Sequence, residues 1–152
     1  MTDVAIVDSG YVHALIDSDD RHHAKAWTLL KQSRWNFRVP PVIFVEVFHT
    51  RMRDAIAKDR QVYITQQFAK ALRWLVGDEV PFQLEDMALS DYRRVAELLD
   101  QYADSRIEYV DAVVIATAER FGTQYVMTTD KEDFRRYVPN FAPHFILPIF
   151  DL

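Results

Sequence analysis

Short apolar runs, separated by stretches long enough for helical crossovers, limit most strongly how this chain folds. Val4–Val7 is such a run and is rich in β-branched residues. It reads as a buried strand, and Tyr125–Thr128 reads as another. Phe37–Val39 is a third strand, stopped by Pro40-Pro41. Val80–Leu84 contains Pro81, which confines it to a sheet edge. Phe145–Leu147 is a last strand candidate. Between the strands lie helical patterns. Asp8-Ser9-Gly10 breaks the first strand and starts a helix through Leu15 and Ile16. Asp19 and Asp20 are N-cap candidates for a helix over Arg21–Gln32. Pro41 opens a helix from Val42 to about Ala57. Further helices are expected over Arg60–Leu75, closed by Gly77, over Glu85–Tyr102, and over Glu108–Phe121, closed by Gly122. A short helix is expected over Asp130–Tyr137. This alternation predicts an α/β fold with a mainly parallel, four- or five-stranded central sheet flanked by helices.

A length of 152 residues predicts a single domain, 1–152. No apolar run exceeds five residues, against about 20 for a spanning helix, so no membrane segment is expected. The first residues carry no basic region and no long apolar core, so no secretory signal is expected. The absence of cysteine excludes disulfide scaffolds, Cys-based zinc sites and thiol nucleophiles, and it fits a reducing cytoplasm. The net charge is -5, from 23 acids and 18 bases. Assigning five carboxylates to a metal site leaves as many acids as bases, so the acidic balance does not exclude a phosphodiester substrate.

Several carboxylates stand where solvation does not explain them. Asp8 ends the first strand, and Asp130 follows Val126-Met127-Thr128-Thr129 in the same way. In open α/β sheets ligands bind at that end, although an Asp after a strand also suits the N-cap of the next helix. Asp111 has Ile107, Val114, Ile115 and Ala118 at helical spacing, which places it on a core-facing stripe. Glu46 follows Val42 and Ile43 on a similar stripe. A buried carboxylate needs a paired cation or a metal, so these two point either to salt bridges with Arg or to ligation. Asp133 is a fifth candidate ligand, or an exposed residue of a short helix. Carboxylates without cysteine, with His only at the margins, suit Mg²⁺ or Mn²⁺. Such ions serve in-line phosphoryl displacement without a protein nucleophile.

Four blocks then carry a specific resemblance. They are Ile6-Val-Asp-Ser-Gly-Tyr-Val-His-Ala-Leu15 with Asp20–Ala24, Val39-Pro-Pro-Val-Ile-Phe-Val-Glu46, Val110-Asp-Ala-Val-Val-Ile-Ala-Thr-Ala-Glu-Arg-Phe-Gly122, and Met127-Thr-Thr-Asp-Lys-Glu-Asp-Phe134. In this order and spacing the chain resembles the PIN-domain nucleases, most closely the VapC-type toxins of toxin–antitoxin pairs. The resemblance implies a PIN-like three-layer fold, Mg²⁺-dependent endoribonuclease activity, and metal and catalytic acids at Asp8, Glu46, Asp111 and Asp130. It also implies a cognate antitoxin, docked through a hydrophobic segment for which Phe44, Val47 and Phe48 offer a surface, and a homodimer. A housekeeping RNA-processing nuclease of the same class shares every one of these motifs. Glu108 stands where many relatives carry a small polar residue, and either adds a ligand or is a surface charge. Signalling receiver domains fit poorly, lacking here the paired acids after the first strand and the Lys after the last.

Around this pocket, Ser9, Thr129 and Arg51 are candidate RNA contacts. The clusters Arg51/Arg53, Arg34/Arg38 and Arg135/Arg136 are either phosphate contacts or solvated faces. Trp35, beside Asn36, is the best candidate for an exposed stacking platform. His22-His23 reads as a surface pair rather than a metal pair, since adjacent helical residues do not share a face.

Overall fold

The computed structural model describes residues 3–32, 34–53, 57–129, 134 and 147–148. The strands are β1 (Asp3–Val7), β2 (Trp35–Val39), β3 (Phe82–Leu84), β4 (Tyr125–Thr128) and β5 (Leu147–Pro148). The helices are α1 (Ser9–Ile16), α2 (His23–Leu30), α3 (Val42–Arg53), α4 (Lys58–Leu75), α5 (Leu89–Gln101) and α6 (Tyr109–Phe121). The strands form one sheet in the order β3-β2-β1-β4-β5. Every pairing is parallel, with Ala5 opposite Phe37 on one side of β1 and Tyr125 on the other.

The central place of β1 explains its composition. Ala5, Ile6 and Val7 are fully buried, as a parallel strand covered on both faces requires. β2 instead alternates, with Trp35, Phe37 and Val39 inside and Asn36 and Arg38 half-buried. β3 follows Pro81 and lies at the sheet edge, as the proline dictates. α6 is buried along its whole middle, Ala112 to Ala118. It ends at Gly122, whose φ of 62° is the left-handed cap conformation.

Several boundaries differ from expectation, for local reasons. α2 begins at His23, not Arg21, because the Asp20 carboxylate accepts the His22 amide and Asp17 accepts the Asp19 amide. Asp19 and Asp20 therefore build the preceding turn and do not cap the helix. α5 begins at Leu89, not Glu85. The Glu85 amide still bonds to Val39, and the Asp91 carboxylate accepts the Ala88 amide. The helix expected over Asp130–Tyr137 and the strand over Phe145–Leu147 lie outside the described residues, apart from Phe134 and Leu147.

Because all strands run parallel, their carboxyl ends share one side. Asp8 follows β1 there, and its amide bonds to the Met127 carbonyl of β4 at 2.9 Å. The amino ends are closed by Arg34, which pairs with Asp3 at 2.8 Å and lies over Trp35. Ion pairs of three arginines tie α6 to α5 and to the loop after β3, and β2 to that same loop. Arg120 reaches Asp91 and Glu85, Arg94 reaches Glu119, and Arg38 reaches Glu85.

Gly10 is required by close approach: a Cβ there would stand 2.1 Å from the Thr129 hydroxyl oxygen and 3.2 Å from the Thr129 amide nitrogen. Gly10→Ala should cost about 1–3 kcal/mol in denaturant unfolding. Adding Thr129→Ala should recover part of that loss.

Candidate active site

Asp8 occupies the N-cap position of α1 and is 5% exposed. The Thr128 hydroxyl donates to its Oδ2 at 2.8 Å, so the ends of β1 and β4 are linked through side chains as well as backbone. Ser9 opens α1, and its hydroxyl hydrogen-bonds to Glu46 of α3. Glu46 is half-buried. Burial pushes its carboxyl above the ordinary carboxylate range, the Ser9 hydrogen bond pulls it back, and the charge of Glu108 pushes it up again. Its Oε2 is buried and has no hydrogen-bond partner among the described residues.

Glu108 is the N-cap of α6, and Asp111 lies in the first turn of that helix, half-buried. Glu46 and Glu108 face a cleft of about 780 Å³, shared with His49, Thr50 and Tyr109. Asp8, Ser9, Glu46 and Glu108 are thus gathered by the β1–α1 junction, α3 and the start of α6. Asp130 and Asp133 lie outside the described residues. Among the described residues, no group of three or more His, Asp or Glu side chains is close enough to hold an ion by itself. Nor does Glu46 pair with any Lys or Arg among the described residues.

The flanking candidates divide. Arg51 is half-buried, with its Nη1 4.0 Å from Asp17. Thr129 lies against Gly10. Arg34 stands at the amino ends of the strands, remote from Asp8, and Arg38 is held by Glu85. Trp35 is 4% exposed, stacks edge-on with Tyr125 and bonds to Gln32. It is a core residue and not a stacking platform, because β2 turns that face inward. Arg135 and Arg136 are outside the described residues. Two site neighbours escape a sequence reading: Thr128, whose role depends on strand register, and His13, one turn after Ser9.

Comparison with known proteins fits this geometry. The family profile described as PIN domain matches residues 5–138. The chain belongs to the PIN domain family. Ribonuclease VapC26 of Mycobacterium tuberculosis is 22% identical over 134 residues, covering 88% of this chain and 92% of the relative. Among solved structures, VapC20 of M. tuberculosis, described as a sarcin–ricin loop cleaving toxin, superposes with a TM-score of 0.69 at 16% identity, covering 88% of this chain and 95% of that one. FitAcB of Neisseria gonorrhoeae superposes at 0.65 with 13% identity, covering 98% and 99%. At these identities the structural likeness shows the PIN fold, a parallel sheet between helices. Among the described residues, no helix is long and apolar enough to cross a membrane.

Two outcomes follow for this PIN domain. A carboxyl raised in the folded state stabilises below its ordinary titration range, and that contribution is lost as pH rises through the folded value. In chelator, wild-type stability should therefore fall at Glu46 as pH rises from the ordinary carboxylate range toward neutrality. Glu46→Gln should remove that component of the pH profile and be the more stable protein at pH 7, measured by denaturant unfolding. Thr128→Val should cost about 1.5–3 kcal/mol in the same assay, since it removes a hydrogen bond to a buried charge.

Proposed function

We propose that this PIN domain, spanning 1–152, is a divalent-metal-dependent endoribonuclease and the toxin of a VapBC-type toxin–antitoxin pair. The observation that carries the reading is the buried Glu46 oxygen, without a partner among the described residues, in a cleft shared with Glu108; Glu46 also bonds to Ser9, the residue after the buried Asp8. An oxygen withdrawn from water with no donor is what a cation site presents before it is filled. The donors are carboxylates and hydroxyls, with no cysteine, which suits Mg²⁺, or Mn²⁺ in its place. Asp8, Glu46, Asp111 and Asp130 would hold the metal, with Asp133 as an added ligand. When bound, the metal supplies Lewis acidity toward the phosphate and a more acidic water.

The chain's own groups do the remaining work. Thr128 fixes the Asp8 carboxylate, so that its free oxygen keeps one orientation. Ser9 orients Glu46, whose raised carboxyl is suited to taking a proton from the attacking water. Ser9, Thr129 and Arg51 contact phosphate oxygens of the RNA. The names of VapC26, a ribonuclease, and VapC20, a toxin that cleaves the sarcin–ricin loop, support the activity class. Structures of toxin–antitoxin complexes from Klebsiella pneumoniae and Rickettsia felis share the fold and support an antitoxin partner.

That partner would not rest on the surface expected from Phe44, Val47 and Phe48. Val47 is fully buried, and the Phe48 ring lies 5.0 Å from that of Phe68. A better seat is the recess of about 220 Å³ lined by Leu15, Trp27, Phe68 and Trp74, where the two Trp rings lie 5.1 Å apart. A homodimer would use the exposed Val45, Leu89, Tyr92 and Tyr109, a set of apolar side chains on α3, α5 and α6. The setting would be the cytoplasm, where antitoxin and RNA meet.

Asp8→Asn and Asp111→Asn should each lower Mg²⁺- or Mn²⁺-dependent cleavage of RNA at least about a hundredfold, since several kcal/mol of charge stabilisation is lost. Their circular dichroism should stay that of the wild type. Full wild-type cleavage in excess chelator would contradict the reading. Growth arrest on expression of wild type, but not of Asp8→Asn, tests the toxin role.

A further inference from the structure

α1 and α3 pack side by side, and their facing residues recur at four-residue spacing. Ser9, His13 and Asp17 follow one another on α1, and Glu46 and Thr50 on α3. Ser9 meets Glu46 at one level. One turn on, His13, Asp17, Thr50 and Arg51, joined by Arg60 and Ile64 of α4, line a recess of about 230 Å³. Thr50 also lines the cleft that holds Glu46, so recess and cleft adjoin. The two levels are about 6 Å apart along the helix.

Two nitrogens at this level are buried without an acceptor among the described residues: Nε2 of His13 and Nε of Arg51. Arg34, Arg94 and Arg120 each have a carboxylate at 2.8 Å, and Arg38 has one at 3.2 Å. Arg51 has only Asp17, at 4.0 Å, beyond hydrogen-bond reach. Burial and the Arg51 charge hold the His13 imidazole below its ordinary pKa, against the weaker opposite pull of Asp20 and Asp17. The charges that line the recess are the two cations Arg51 and Arg60 against the one carboxylate of Asp17, a net positive balance.

We propose that the recess formed by His13, Thr50, Arg51 and Arg60 is a phosphate subsite, taking the RNA phosphodiester next to the one that is cut. This rests on the nuclease reading of the adjoining cleft. A guanidinium fork, a hydroxyl and an imidazole N–H are the donor set of an oxyanion site. A bound phosphate would give the two orphaned nitrogens their acceptors. Adjacency to the cleft favours an RNA phosphate over a carboxylate of a protein partner.

The test uses the full chain with Arg51→Gln, Arg51→Lys and Arg60→Gln; Arg60 is exposed, so its loss leaves the packing intact. With a short labelled RNA and Mn²⁺, Arg51→Gln should raise KM about tenfold, with a smaller change in kcat, and Arg51→Lys should recover part of it. Arg51→Gln and Arg60→Gln should each reduce the salt slope of RNA binding by about one. In chelator, inorganic phosphate should move the His13 ring resonances of the wild type and not those of Arg51→Gln. Unchanged KM and salt slope in both Gln variants would overturn the proposal, as would a weakened protein complex with RNA binding intact. A phosphate response equal in wild type and Arg51→Gln would also overturn it. If the wild type cuts no RNA, the nuclease reading fails, and the phosphate titration alone then decides whether the recess holds phosphate.

Discussion

Asp8 is a carboxylate withdrawn almost wholly from water at the end of the central strand, and that burial has to be compensated. The Thr128 hydroxyl does part of it, and the first amides of α1 offer a favourable dipole to the same group. Both partners are available only because β1 and β4 are parallel and in register, with Val7 opposite Met127. The same register brings Thr129 against Gly10, where only a hydrogen side chain fits without a shift. The position of one acid thus fixes the junction of strand, helix and neighbouring strand.

Glu46 and Glu108 reach one cleft through helix periodicity and the anchoring of helix ends. α6 is held by its fully buried middle and by the Arg120 and Arg94 ion pairs to α5 and the loop after β3. Its N-terminus, with Glu108 and Asp111, is therefore set in place from its far end. α3 starts after Pro40-Pro41 and buries Ile43 and Val47, which leaves Glu46 on the side that meets Ser9. Two carboxylates then face one cleft, and the Glu46 carboxyl is raised first by burial and further by the charge of Glu108.

Much of this is legible in the sequence, and the reasons are specific. Val4–Val7 reads as a central strand because both its faces are apolar, and Asp8 stands out because it ends that run. Glu46 is visible from its apolar neighbours three and four residues back, and Pro81 puts β3 at the edge. Thr128 is invisible because its partner lies 120 residues away and the pairing depends on register. The start of α5 is hidden for a similar reason: Glu85 fits a helical pattern, but its amide is taken by Val39 of the neighbouring strand. Trp35 misleads because a polar neighbour marks it as exposed, whereas strand alternation points Asn36 outward and Trp35 inward. His13 is legible only once α1 and α3 are known to pack together.

The claim on which everything else rests is that acids from separate elements share one divalent ion at the carboxyl ends of β1 and β4. Crystals soaked in Mn²⁺ and measured at the manganese absorption edge test it directly. The expected result is an anomalous peak about 2.0–2.4 Å from a carboxylate oxygen of Asp8, with oxygens of Glu46, Asp111 or Asp130 completing the shell directly or through water. A peak confined to surface carboxylates, with a Lys or Arg side chain seated against Asp8 and Glu46 in its place, would contradict it.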